Sequence, residues 1–67
     1  MGYKVREEAQ LAESYRYRAE ELRTIAEMES RVRVHDTLMK FARDYEQMAV
    51  ALEAIAESRF ILRKRYG

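Results

Sequence analysis

Residues 34–62 read VHDTLMKFARDYEQMAVALEAIAESRFIL, and their spacing decides the fold. Stepping alternately four and three residues gives Val34, Leu38, Phe41, Tyr45, Met48, Leu52, Ile55, Arg59 and Leu62. All but Arg59 are apolar, so the stretch carries a seven-residue repeat along one helical seam. A second row runs beside it: Ala42, Ala49 and Ala56, where only a methyl group projects.

Residues 11–26 repeat this pattern on a smaller scale. Their seam is Leu11, Tyr15, Arg18, Leu22 and Ile25, and their alanine row is Ala12, Ala19 and Ala26. Leu11, Ala12, Tyr15, Ala19, Leu22, Ile25, Ala26 and Glu27 correspond to Phe41, Ala42, Tyr45, Ala49, Leu52, Ile55, Ala56 and Glu57, and all but the first pair are identical. Two helices built to one packing rule explain this as well as a duplication does.

An offset of 30 residues turns the face of a straight helix by about 120°. The two seams would then point in different directions on one rod, so a fold-back is expected. The intervening Glu29-Ser30-Arg31-Val32-Arg33-Val34-His35 contains several weak helix formers. The pattern predicts helix 1 over about residues 7–28, a turn at about 28–32 and helix 2 over about 33–64. Residues 1–6 are expected as a fraying lead-in and Ser30 as the N-cap of helix 2. One continuous, kinked helix is the competing arrangement, because no glycine or proline marks the break.

Composition agrees with an all-α chain. Proline and cysteine are absent, and the two glycines sit at positions 2 and 67. Without cysteine there are no disulfides or thiolate metal sites, and a cytoplasmic location is expected. No apolar run approaches the ~20 residues of a membrane span. Gly2 is followed by Arg6 where a myristoylation motif needs Ser or Thr.

At 67 residues the chain is a single small domain. Chains of this size take extra stability from disulfides, metals or self-association, and only the last is open here. In an antiparallel hairpin, positions whose numbers sum to about 60 would face one another, pairing Tyr15 with Tyr45. The expected hairpin and oligomer core is Leu11, Tyr15, Ala19, Leu22, Ile25, Leu38, Phe41, Ala42, Tyr45, Met48, Ala49, Leu52 and Ile55. One hairpin covers only one side of each stripe, so a dimeric four-helix bundle is the expected assembly.

The pattern Tyr15-Arg16-x-Arg18-Ala19-x-Glu21-Leu22-Arg23-x-x-Ala26-Glu27, then Leu38-x-x-x-Ala42-x-Asp44-Tyr45-Glu46-x-Met48-Ala49, resembles a group of small helical proteins of alphaproteobacteria, rhizobial relatives above all. The likeness covers about residues 13–50. Members often carry Asp-Pro between the helices, where this chain has Arg31-Val32. The resemblance implies a helical hairpin and carries no activity with it.

Catalytic signatures are missing. A di-iron bundle needs Glu-x-x-His, and His35 has Val32 three residues before it. No serine stands near a histidine except Ser30, which a capping role explains, and no glycine-rich phosphate loop exists. The sequence therefore predicts a non-enzyme with no cofactor, no metal and no small-molecule substrate. Arg18 is expected to lay its stem over the core and reach water or a carboxylate at the rim. Surface pairs are expected at Arg16–Glu20, Glu27–Arg31, Asp36–Lys40 and Lys40–Asp44.

Net charge is +1, and the positive excess lies at the C-terminus. Arg59, Arg63, Lys64 and Arg65 stand there without an acid, beside Phe60, Ile61 and Tyr66. That cluster is the candidate contact for nucleic acid, an anionic membrane surface or another protein; a solvated helix end is the plain alternative.

Overall fold

In the computed structural model the backbone is described for residues 2–66 and the side chains for residues 7–64. Two helices make the chain: α1, Gly2–Met28, and α2, Val32–Tyr66. They lie side by side as a hairpin 53 Å long, 14 Å wide and 10 Å deep between Cα extremes. At 1.5 Å per residue, the 35 residues of α2 account for about 52 Å of that length. Taking a Cα radius of about 2.3 Å from each side leaves at most about 9 Å between the axes, within the usual range for packed helices.

Both helices outrun their expected limits. Helix α1 starts at Gly2 instead of near Glu7, and α2 continues to Tyr66. Residues 1–6 read as a weak lead-in from composition alone, yet Lys4, Arg6 and Glu7 are good helix formers on a helix already nucleated.

The turn is Glu29–Arg31, and among the described residues no backbone angle is left-handed. Three contacts replace the missing glycine. The Glu29 amide donates to the Ala26 carbonyl at 3.1 Å, closing the end of α1. His35 Nδ1 lies 2.8 Å from the same oxygen; a carbonyl can only accept, so Nδ1 carries the proton. The Glu29 carboxylate takes the Arg31 amide at 2.9 Å and its guanidinium at 2.9 and 3.2 Å. Arg31 is thus the first residue whose carbonyl accepts a helical bond, from His35 N at 2.9 Å. The expected Ser30 cap is corrected: Arg31 holds the N-cap position, fixed there by the Glu29 carboxylate, which reaches its amide and its charge together.

Among the described residues the enclosed core consists of alanines alone. Ala12, Ala19, Ala26, Ala42 and Ala49 are 0% exposed and Ala56 is 7% exposed. His35 stands one heptad before Ala42 on the same row, against the last turn of α1. Contacts across the hairpin fall on two diagonals. Tyr15–Tyr45 and Ala26–His35 have residue numbers adding to 60 and 61. Arg16–Glu53, Arg23–Glu46 and Glu8–Arg59 add to 69, 69 and 67. The diagonals lie about one heptad apart, so Ala12 falls between Ala49 and Ala56, Ala19 between Ala42 and Ala49, and Ala26 between His35 and Ala42, and the rows interleave.

Candidate interaction surface

Positions relative to the alanines sort the hairpin into two unlike faces. The residue before each alanine is Leu11, Arg18 and Ile25 on α1, and Phe41, Met48 and Ile55 on α2. The third residue after is Tyr15 and Leu22 on α1, with Tyr45 and Leu52 on α2, joined by Leu38 three after His35; past Ala26 and Ala56 the same rows end in the charged Glu29 and Arg59. In an antiparallel pair both sets turn to the same side. They form one apolar face whose two rows come from two helices.

The geometry bears this out. Tyr15 and Tyr45 meet with ring centroids 5.6 Å apart and planes tilted by 40°. Around them run two shallow grooves. One, of about 380 Å³, is lined by Arg18, Leu22, Phe41, Asp44, Tyr45 and Met48. The other, of about 270 Å³, is lined by Leu11, Tyr15, Met48, Ala51, Leu52 and Ile55. Met48 belongs to both, so the grooves join into one apolar trough. Leu11, Ile25, Phe41, Met48 and Ile55 are each 41–53% exposed. Tyr15, Leu22, Leu38, Tyr45 and Leu52 are half-buried, and Ala19, Ala42 and Ala49 are enclosed. The structure thus places the expected core residues together, with the alanines inside and the large side chains on an open face.

The fourth residue after Ala12, Ala19, Ala42 and Ala49 lies on the opposite side, and there the chain places Arg16, Arg23, Glu46 and Glu53. Arg16 Nε and Nη2 donate to the two Glu53 oxygens at 3.0 and 2.6 Å. Arg23 pairs with Glu46 across the hairpin and with Glu20 on its own helix at 3.0 Å. Those hydrogen bonds from Arg16 hold the Glu53 carboxyl below the usual carboxylate range. None of the four expected surface pairs forms: Arg31 turns to Glu29, Lys40 closes neither of its two pairs, and Arg16 crosses to Glu53 instead of Glu20. For Arg16 the physical reason is the alanine seam. It brings the facing helix so close that a carboxylate across the gap competes with one a turn away. Sequence reading missed Arg16, Arg23, Glu46 and Glu53 as a set, although basic residues on one helix and acidic ones on the other at the same alanine offset were a usable signal.

Arg18 behaves as expected at the rim: its side chain is 62% exposed, with Glu21 at 3.9 Å. The basic cluster is reduced. Arg59 is drawn back onto α1 by Glu8 at 3.1 Å, a partner that the register of the two helices selects. Lys64 rests over the Phe60 ring at 5.7 Å, Arg63 is exposed, and the side chains of Arg65 and Tyr66 lie outside the described residues. Among the described residues no three His, Asp or Glu side chains are placed to hold a metal, and no helix is long and apolar enough to cross a membrane.

No family model, curated protein or solved structure matches the chain.

Proposed function

We propose that the chain is a non-enzymatic, self-associating interaction protein whose apolar face closes on a second copy to form a four-helix bundle. The observation that carries this reading is the one-sidedness of the hairpin's middle: Arg16–Glu53 and Arg23–Glu46 on one face, an open trough of Leu, Ile, Met, Phe and Tyr on the other, with the Glu8–Arg59 pair closing the trough's end. Six enclosed alanines contribute little on their own, because a buried methyl is worth about 0.8 kcal/mol. Covering the open face would supply the large side chains that a hairpin core lacks. Sedimentation velocity at micromolar concentration tests it: the mass of two chains is expected, and a folded monomer would overturn the reading.

A second reading draws on the end of α2. Phe60, Ile61 and Leu62 are each more than half exposed beside Arg63 and Lys64, a combination suited to anionic lipid headgroups or a nucleic-acid backbone. Removing residues 60–67 spares the Arg59–Glu8 contact and separates the two readings. Loss of binding to anionic vesicles or duplex DNA at about 50 mM salt, with the dimer intact, would favour the accessory role.

A further inference from the structure

We infer that the second copy lies co-aligned with the first, both turns at one end of the bundle, with Arg18 of each copy paired to Asp44 of the other. This rests on the self-association proposed above and adds its geometry. Two hairpins can close face to face about a two-fold axis in only two regular ways. With the axis along the helices, α1 of each copy lies over α2 of the other and the turns are neighbours. With the axis across the helices, α1 lies over α1 and the turns stand at opposite ends. Neighbouring helices are antiparallel in both, so helix dipoles do not choose.

Charge does choose. Arg18 is the one charged residue among the large side chains of the face on α1, midway between Leu11 and Ile25. Asp44 stands on the opposite rim of the same groove, on α2. The crosswise axis passes through the middle of the face and would set the two Arg18 guanidiniums against each other in a desolvated seam, a costly like-charge contact. The lengthwise axis exchanges the two rims, so each Arg18 meets an Asp44, twice per dimer. Arg18 is free for this: at 62% exposure its sole ion contact is Glu21, at 3.9 Å. Size also suits a second copy. The product of the 53 Å length and 14 Å width is roughly 740 Å² per copy, against the ~800 Å² that each partner of a standard interface buries.

The chain has no native cysteine, so Ser30→Cys in the exposed turn takes a single spin label. Pulsed dipolar spectroscopy on the labelled full chain, with sedimentation on the same sample, decides the matter. A two-chain species with labels within about 30 Å is expected, because four packed helices span two 8–10 Å spacings at most. A two-chain species with labels about 36 Å or more apart overturns this arrangement but leaves self-association standing, because with the axis at Arg18 each Ser30 stands about 18 Å from it. A one-chain species overturns both. As an independent readout, Arg18→Asp is expected to weaken the dimer about tenfold, and the double exchange Arg18→Asp with Asp44→Arg to restore it. Failure of the double exchange to recover affinity, in a chain still helical by circular dichroism, removes the reciprocal pair.

Discussion

At the scale of single residues the hairpin depends on what its alanines lack. A methyl at positions 12, 19, 26, 42, 49 and 56 is the largest group that fits between interleaved helices. Substituting Ala19→Leu or Ala49→Leu is therefore expected to destabilise the fold by about 1–3 kcal/mol through overpacking, read as a lowered urea midpoint. The same change at Ala51, on the open face, is expected to do far less. Glu29 sets a second residue-level expectation. Hydrogen bonds from the Arg31 side chain, then from its backbone amide, lower its pKa from 4.5 to about 2. The folded chain thus holds this proton less tightly than the unfolded chain. Its contribution is fully present above pH 4.5 and fades as pH falls towards 2. In Glu29→Gln the acid limb of a stability-against-pH curve should flatten over that window; an unchanged limb would mean the turn does not depend on the carboxylate.

Helices and their contacts carry a different lesson. Because Arg16–Glu53 and Arg23–Glu46 all lie on one face, Glu53→Arg would set a cation against Arg16 beside the alanine seam. A lowered melting temperature is expected, most pronounced at low salt, and the exchange Arg16→Glu with Glu53→Arg should recover much of it. How much of this was legible follows from which signals are local. The helical class, the fold-back and the alanine rows depend on spacing within a helix, which the sequence displays directly, and the Tyr15–Tyr45 meeting follows from placing the turn near residue 30. The start of α1 was not legible, because nothing in residues 2–6 distinguishes a frayed lead-in from a helix. Ion partners were not legible either. Glu20 and Glu53 are both within reach of Arg16, and only the axial offset of the helices selects Glu53. Arg59 looked like part of a free basic tail for the same reason, its partner Glu8 being visible only once the register is known.

For the whole molecule the two faces make opposite demands, and this gives the self-association its sharpest control. Met48 lies where both grooves join, and Val50 sits on the other side of α2 at 55% exposure. Each is a surface residue of the single hairpin, so a lone hairpin would tolerate a charge about equally at either. If the apolar face is covered, Met48→Glu buries an unpaired carboxylate in the seam, at a cost of several kcal/mol, whereas Val50→Glu stays in water. Met48→Glu is expected to sediment as one chain at concentrations where Val50→Glu and the parent sediment as two. Its thermal midpoint should also lose the concentration dependence that coupled dissociation imposes on the parent. Equal behaviour of the two variants would mean that the trough meets solvent and that the hairpin stands on its alanines and ion pairs alone.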